Sequence, residues 1–456
     1  MSRSPRRIHL AAHFPGVNST TVWTAPDSGS QIDFAAFEYF ARTAERGLFD
    51  YVFLAEGLRL REHKGRVHEL DVLGRPHTLA VLAALTSVTE HIGLVGTLST
   101  TFNEPYELAR QLATLDHLSG GRAGWNAVTS SDAFHGANFR RGGYLAHPER
   151  YERAKEFADL AKKLWDSWPM GAVRADAATG EFLAPATPRG IRHSGPHFDV
   201  DALFDVPRSP QGHPVILQAG DSADGREFAA EHAEVIFSLH TEFAAAQAFY
   251  ADVKGRLAAR GREEESLKIL PAATFVLGDT EAEARDRARE IALQQVRPEV
   301  AITYLEQVWG RDLTGYDPDG PLPDIDPDAG SETAQGWANR HSALRARVAS
   351  LRERAEAEKL SIRELVIQLT AQPTFLGTPD HVASEIDRYV QERASDGFTV
   401  VGHQTPHGLD EFASRVVPLL QERGSYRRSY EEGATLRDLL GLPTGARREA
   451  PAAAAR

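Results

Sequence analysis

The sequence predicts a TIM barrel, the (β/α)8 fold of the α/β class, with insertions. Eight short apolar segments suit strands buried on both faces of a parallel sheet, and they alternate with segments of helical periodicity. Polar residues follow most of these segments, which is where α/β barrels place their chemistry. The 456 residues exceed an ordinary domain, yet barrels with insertions can pass roughly 400 residues as one unit. Eight units with long insertions favour a barrel over an open doubly wound sheet.

The clearest unit is the run LDHLSGGRAGWNAVTS at 115–130, where helical sequence stops at Gly120 and Gly121 and an apolar strand follows. The other units are predicted on the same layout. The predicted strands are 8–14, 51–55, 92–98, 122–128, 215–219, 235–239, 269–277 and 398–401. The predicted helices are 32–46, 78–88, 108–118, 149–168, 225–232, 243–259, 281–295, 381–393 and 411–422.

We expect residues 1–445 to form one barrel domain with two departures from the repeating layout. The Gly-, Pro- and Asp-rich segment 169–213 predicts an excursion with a short hairpin. Segment 297–376, a Pro/Asp-rich loop with a helical stretch, predicts a lid insertion. The tail 446–456 has low complexity, so we expect it to be disordered.

Composition excludes several classes of function. The net charge of −13 argues against a general nucleic-acid or anionic-membrane surface, because both need basic patches. No apolar run reaches the ~18 residues of a membrane span, and His9 and His13 interrupt the N-terminal apolar run. We therefore expect a cytoplasmic protein without a signal peptide.

The chain contains no cysteine, which excludes disulfides, thiolate nucleophiles, iron–sulfur clusters and cysteine-zinc sites. It also contains no G-x-G-x-x-G, Walker A or HExxH motif. Asp324, Asp326 and Asp328 superficially resemble a calcium loop, but Ala329 and Gln335 stand where glycine and glutamate are required. We predict no metal site.

In a closed barrel, polar residues at the strand ends meet at one mouth, and such a set suits an uncharged planar ligand with a polar edge. The alternative that polar residues simply end strands stays open. The predicted mouth residues are His13, Glu56, Thr97 with Ser99–Thr101, Asn126 with Thr129–Ser131, Gly220 with Asp221 and Ser222, His240, and His403 with Gln404.

The run QAGDSADG at 218–225 is a candidate anion site. A strand ends at Gly220 and a small polar loop opens a helix, whose free N–H groups can hold a phosphate. Gly225 falls one position too late for the G-x-S-x-G nucleophile motif, and an ordinary helix N-cap by Ser222 is the alternative. His147 and Tyr151 are four residues apart on one helix face, so they could complete the phosphate site or form a simple surface pair.

Five runs together resemble one family: LARQLATLDHLSGGRAGWNAVTS (108–130), HPERYERAKEF (147–157), LWDSW (164–168), PVILQAGDS (214–222) and RDLLGLP (437–443). They are similar to the nitrilotriacetate, pristinamycin-synthase and dibenzothiophene-sulfone monooxygenase branch of the bacterial-luciferase-like flavin monooxygenases. The resemblance covers nearly the whole chain. VPRSPQG (206–212) looks closest to the sulfone enzyme.

The resemblance implies a luciferase-like TIM barrel acting as a two-component FMN-dependent monooxygenase. Reduced FMN, supplied by an NAD(P)H:FMN reductase that docks or releases it by diffusion, would react with O₂ to a C4a-(hydro)peroxyflavin that oxygenates a small organic substrate. We expect a homodimer or homotetramer. Carried over residue by residue, Glu56 and Thr97 would lie near the isoalloxazine and Asn126 near its polar edge. His147, Tyr151 and Ser222, with Gly220 in the same loop, would bind the phosphate end.

Three positions depart from the family pattern. Glu56 stands where the family commonly has aspartate, and Asp221 replaces a neutral residue, so we expect its side chain to turn away from the phosphate. The exit VVGHQTPHG (400–408) also differs, which predicts a substrate other than the sulfone enzyme's.

Two other functions stay open: an F420-dependent oxidoreductase of the same superfamily, and a non-catalytic flavin-binding or scaffold barrel. The sequence names no catalytic residue. His13 and His403 are candidates for proton donors or substrate contacts, and sulfones, amine acetates, thioethers and polyketide-like compounds all remain substrate candidates.

Overall fold

The computed structural model describes residues 5–16, 21–60, 62–67, 73–130, 136–139, 147–185, 188–328, 334–335 and 344–443. Eight parallel strands form a barrel, each paired with the next along the chain, and the eighth pairs with the first. The strands are β1 His9–His13, β2 Tyr51–Leu54, β3 Gly93–Ser99, β4 Ala123–Val128, β5 Val215–Ala219, β6 Val235–Ser238, β7 Lys268–Leu277 and β8 Gly397–Val401. The predicted TIM barrel is confirmed, and no strand boundary departs from its prediction by more than one residue.

Helices surround this barrel. They are α1 Phe34–Arg46, α2 Thr78–Leu85, α3 Pro105–Leu118, α4 His147–Trp165, α5 Ala223–His232, α6 Phe243–Ala259, α7 Glu281–Gln295, α8 Pro298–Trp309, α9 Leu344–Glu358, α10 Ile362–Thr370, α11 Pro379–Gln391, α12 Val417–Glu422 and α13 Leu436–Leu439. Short 3₁₀ segments lie at Glu264–Ser266 and His407–Leu409, and a π-helical segment at Phe412–Val416 precedes α12. The predicted helix 411–422 is therefore not one regular α-helix.

Helix α2 ends three residues before its predicted end. The hydroxyls of Thr86 and Ser87 donate hydrogen bonds to the carbonyls of Ala83 and Ala84, each 2.7 Å away. Hydroxyl side chains that bond to nearby carbonyls compete with the helical ladder. The predicted helix extends to residue 88 because the prediction relies only on the spacing of apolar residues.

Side chains alternate between the barrel interior and the surrounding helices. Inward residues such as Tyr51, Val95 and Leu217 form one buried cluster with Leu436, Leu440 and Leu442 from the end of the described chain. A Cβ on Gly93 would lie 2.5 Å from Cδ1 of Leu436. Helix α13 thus closes the amino-terminal end of the barrel, which gives the RDLLGLP run a structural role.

The segment 169–213 holds two antiparallel hairpins, one more than predicted: Val173–Asp176 with Glu181–Leu183, and Ile191–Ser194 with Asp199–Ala202. Segment 297–376 is more helical than predicted, because it contains α8, α9 and α10. These three helices pack into a hydrophobic cluster of their own. A short strand, Phe375–Gly377, pairs with the end of β7. The tail 446–456 lies outside the described residues.

A small hairpin after β2 connects the barrel to this insertion. Glu62–His63 pairs with Arg66–Val67 and also with Ala334–Gln335 of the insertion. His63 Nε2 lies 2.5 Å from Oε2 of Glu306 on α8. Within the described part of the chain, no helix is long and apolar enough to cross a membrane.

Candidate active site at the carboxyl ends of the strands

Thr97 and Asn126 lie side by side on the inner face of the barrel near its carboxyl-terminal mouth. They are register partners on β3 and β4, and the Asn126 Nδ2 donates a hydrogen bond of 2.9 Å to Thr97 Oγ1. Both side chains are buried, and Oδ1 of Asn126 has no hydrogen-bond partner among the described residues. A buried amide oxygen left unpaired is costly, so it is available to a donor on a ligand.

A small polar loop follows β5 and opens α5. Ser222 is the N-cap, and its Oγ accepts a hydrogen bond of 3.0 Å from the Gly225 N–H. The hydroxyls of Tyr151, on α4, and Ser222 lie 3.4 Å apart. The structure therefore brings together three of the predicted phosphate-site residues, Gly220, Tyr151 and Ser222, while the alternative of an ordinary N-cap by Ser222 is also correct.

Two glycines of this loop lie close to the Tyr151 hydroxyl. A Cβ on Gly220 would lie 3.5 Å from the Tyr151 hydroxyl, and one on Gly225 only 3.1 Å from it. Gly225 is the third residue of α5, where glycine costs about 1 kcal/mol relative to alanine. A glycine in the first turn of a helix is therefore a signal in the sequence that another group lies close to the backbone at Gly225. From the sequence alone, Gly225 serves only to exclude a nucleophile motif.

Glu56 lies two residues beyond the end of β2, beside the strand that carries Thr97. Its side chain is half-buried, and desolvation raises the pKa of its carboxyl group to about 7. No hydrogen bond or ion pair joins this carboxyl group to the rest of the described chain. It can therefore change between a neutral donor and an anion near neutral pH.

Two imidazoles lie at the neighbouring ends of β1 and β8. His13 is buried, and burial together with Arg75 lowers its pKa to about 3. Burial likewise lowers the pKa of His403. Each ring has an Nδ1 without a hydrogen-bond partner in the described residues. Both rings are therefore neutral at pH 7, and each can bind a ligand through its Nδ1. The position of Arg75 near His13 was not predicted from the sequence.

Aromatic side chains lie near these polar groups on the inner face of the barrel. The rings of Phe53 on β2 and Phe237 on β6 lie 5.9 Å apart, and the ring of His13 lies 5.2 Å from Phe53. Apolar rings beside polar groups suit a planar ligand that is apolar on its faces and polar at its edges.

The side chain of Asp221 contacts another predicted mouth residue. Its carboxylate Oδ1 lies 3.7 Å from Nε2 of His240, the predicted mouth residue that follows β6. Its backbone carbonyl accepts a hydrogen bond of 3.0 Å from Nε of Arg226. The Asp221 side chain therefore has a definite contact within the protein.

Some predicted residues lie beyond what the structure describes. The side chain of His147 and all of Ser131 fall outside the described residues, although the backbone of His147 begins α4. In the described ranges, no group of three or more His, Asp or Glu side chains could hold a metal ion. A cavity of about 600 Å³ lies away from the mouth, in the insertion, lined by residues such as Pro321, Arg352 and Ser361.

A closed, parallel eight-stranded barrel surrounded by helices, with polar side chains at the carboxyl ends of its strands, defines a TIM-barrel protein. The luciferase-like monooxygenase family matches residues 14–396. Nitrilotriacetate monooxygenase component A of Aminobacter aminovorans is 41% identical, covering 89% of this chain and 90% of its own. A subunit of pristinamycin IIA synthase from Streptomyces pristinaespiralis is 40% identical across all of both chains. The chain belongs to the luciferase-like monooxygenase family, as predicted, and is an enzyme of that type.

Dibenzothiophene-sulfone monooxygenase of Rhodococcus erythropolis is 38% identical, covering 96% of this chain and 97% of its own. Identity therefore does not single out the sulfone enzyme within the branch. Among solved structures, DmoA from Hyphomicrobium sulfonivorans has a TM-score of 0.79 at 31% identity, covering 97% and 94% of the two chains. An F420-dependent secondary alcohol dehydrogenase has a TM-score of 0.55 at 12% identity, which shows the fold alone.

Proposed function

We propose that this chain is the oxygenase component of a two-component FMN-dependent monooxygenase. The observation that carries the proposal is the grouping, within the described residues, of unpaired polar atoms at one barrel mouth, beside the start of α5 where Gly220 and Gly225 lie close to Tyr151. The riboflavin lyase RcaE, with a TM-score of 0.78 and 30% identity over 96% of each chain, is described with a modified FMN and riboflavin.

The spacing of the residues at the mouth supports this proposal. Asn126 is the register partner of Leu217 on β5, and Gly220 follows three residues later, roughly 10 Å further along the strand direction. Asn126 and Thr97 would thus bind the polar edge of the isoalloxazine. Tyr151, Ser222 and the N–H groups at the start of α5 would bind the phosphate. The side chain of His147 is assigned to the same phosphate by resemblance.

The chemistry that reduced FMN supplies when bound is activation of O₂ and transfer of one oxygen atom to an organic substrate. The protein orients the cofactor and excludes water. Asn126 and Thr97 would hold the polar edge of the ring, and Phe53 and Phe237 would contact its apolar surface. Glu56, neutral below about pH 7, can hold a proton near that ring without adding a negative charge.

We propose that the insertion 297–376 acts as the lid that keeps water out of the mouth. The support is its connection to the loop that carries Glu56. His63 and Lys64 of this loop both contact the carboxylate of Glu306 on α8, at 2.5 Å each. A movement of α8 would therefore be transmitted to the loop that follows β2.

Reduced FMN would come from a separate NAD(P)H-dependent flavin reductase, by docking or by diffusion. The names of two relatives describe one component or one subunit of a larger enzyme, so each is part of a system with further proteins. A homodimer or homotetramer remains our prediction. The excursion 169–213 exposes apolar side chains that an interface would bury, including Val173, Phe182 and Leu203.

The substrate is proposed as a small organic compound. Relatives are named for nitrilotriacetate, N-acetyl-S-(2-succino)cysteine and a sulfone, so the family name does not fix its chemistry. His13 and His403 are the groups at this mouth that we assign to substrate contact. Each presents a buried, unpartnered Nδ1 within the described chain.

The test is reconstitution with a flavin reductase, NADH and FMN under air, with substrates from these classes and detection of products by mass. We expect a product heavier by one oxygen atom, formed only when FMN, reductase and O₂ are all present. Binding of F420 with hydride transfer in the absence of O₂ would replace this proposal. NADH oxidation without any oxygenated product across the screen, together with no flavin binding, would refute it.

A further inference from the structure

Asp221 and His240 are half-buried side chains that contact each other at the loop between β5 and α5. Asp221 lies between Gly220 and Ser222, and its Oδ1 is 3.7 Å from Nε2 of His240. Neither of these two atoms is accessible to solvent, and neither has a hydrogen-bond partner among the described residues. These two atoms thus face each other across the ends of β5 and β6, and within the described residues neither takes part in a hydrogen bond to another group.

The charged groups around this pair are identifiable. Arg226, on α5, donates a hydrogen bond to the Asp221 carbonyl, and its Nη1 lies 2.9 Å from Oδ2 of Asp252 on α6. The ring of Phe249 on α6 contacts both the His240 ring, at 4.6 Å between centroids, and the Arg226 guanidinium, at 4.9 Å. Tyr151, on α4, lies on the other side of the loop, near Ser222. Because Arg226 is already paired with Asp252, His240 is the basic side chain that faces the Asp221 carboxylate.

We propose that His240 sets the affinity of the loop for the phosphate of FMN by offsetting the charge of Asp221. This inference rests on the proposed function, since it assumes that the phosphate binds at Tyr151 and Ser222. A carboxylate in the loop repels a phosphate anion, and a protonated imidazole beside that carboxylate removes most of the repulsion. His240 is therefore a positioning residue that acts through Asp221.

Imidazoles as a class lose their proton between roughly pH 5 and 8, so FMN affinity is measured on both sides of that range. Riboflavin has the same ring as FMN and no phosphate, so it serves as the reference on which the charge of the loop does not act. The phosphate of FMN also titrates near about pH 6, so the relevant signal is the difference between the wild-type protein and its variants.

The experiment measures the dissociation constants of FMN and riboflavin by fluorescence quenching at pH 5.5, 7.0 and 8.5. We compare the full-length wild type with His240→Gln, Asp221→Asn and the double variant. At pH 5.5 we expect His240→Gln to weaken FMN binding about five- to tenfold and leave riboflavin binding unchanged. Asp221→Asn should bind FMN at least as tightly as the wild type at every pH. In that background, His240→Gln should have no further effect.

The matched control is His213→Gln, because His213 also contacts an aspartate, Asp166 at 2.8 Å, but lies before β5 at the opposite end of the strand. It should change neither flavin affinity. A His240→Gln effect that is equal for FMN and riboflavin, or that persists in the Asp221→Asn background, would overturn the inference. The inference would also be overturned if His240→Gln bound FMN with the affinity of the wild type and had the same thermal unfolding midpoint. A wild-type protein that binds neither flavin would instead refute the proposed function, and the inference with it.

Discussion

Strand β2 carries one carboxylate near each end, and the two have opposite surroundings. Asp50 directly precedes the strand and is fully buried, and it contacts Arg427, His9 Nδ1 at 3.2 Å and the Leu10 N–H at 2.8 Å. Burial alone would raise its pKa, but Arg427 and His9 hold that pKa at about 2. Glu56, beyond the other end, has no partner within the described residues, and its pKa rises to about 7.

The same contrast extends around the barrel. Glu234 and Asp396 directly precede β6 and β8, and each contacts a cationic side chain: Arg437 for Glu234 and both Arg6 and Lys254 for Asp396. At the carboxyl-terminal mouth, polar atoms of Asn126, His13 and His403 are left unpaired within the described chain. One end of the barrel therefore stabilises the fold, and the other keeps binding capacity available for a ligand.

Asp50→Ala should have the largest effect on stability. It leaves Arg427 buried without its counter-ion, and breaking a buried pair from one side costs about 3–5 kcal/mol. We expect a correspondingly lower free energy of unfolding in urea. Because the folded pKa of Asp50 is depressed, the difference from wild type should be present above about pH 4 and disappear as pH falls toward 2. Wild-type stability in Asp50→Ala at pH 7 would contradict the comparison.

Leu436→Ala tests whether α13 stabilises the amino-terminal end of the barrel by packing against its strands. Leu436 is fully buried between the strands, and such truncations cost about 2–5 kcal/mol through lost burial and the cavity left behind. Leu118→Ala is the control, because Leu118 is 61% exposed. It should shift the unfolding midpoint little. Equal effects of the two substitutions would mean that α13 does not support the barrel.

At the mouth, Tyr151→Phe combined with Ser222→Ala should weaken FMN binding by about 2–3 kcal/mol, at roughly 1–1.5 for each lost hydrogen bond. Ser222→Ala also removes a helix N-cap, which costs about 1 kcal/mol of stability. Thr280→Ala is the matched control, since Thr280 caps α7 through the Glu283 N–H, away from this loop. It should lower stability alone. Unchanged FMN affinity in the double variant would remove the phosphate assignment.

Glu56→Gln should have the smallest effect, seen mainly in a pH profile. Above about pH 7 the wild-type carboxyl group loses its proton and places a negative charge at the mouth. We expect kcat/KM for oxygenation to fall as pH rises through 7 in the wild type, and this step to vanish in Glu56→Gln. A step of the same size and position in the variant would assign the ionisation to another group.

The strands could be predicted to within one residue because buried parallel strands are short, apolar and bounded by glycine and polar residues. The proximity of Asn126 to Thr97 also followed, since both were placed at adjacent strand ends. Contacts between distant segments could not be predicted. The Asp50–Arg427 pair spans most of the chain, and the Asp221–His240 pair depends on how two loops approach each other. Nor did composition show that the insertion folds around its own apolar cluster.

The most direct test of this account is a crystal structure of the chain with FMN bound. The account predicts the isoalloxazine at the carboxyl ends of the strands, within hydrogen-bond distance of Asn126, and the phosphate in contact with Tyr151, Ser222 and the start of α5. A flavin bound elsewhere, for example in the cavity of the insertion lined by Arg352 and Ser361, would contradict it.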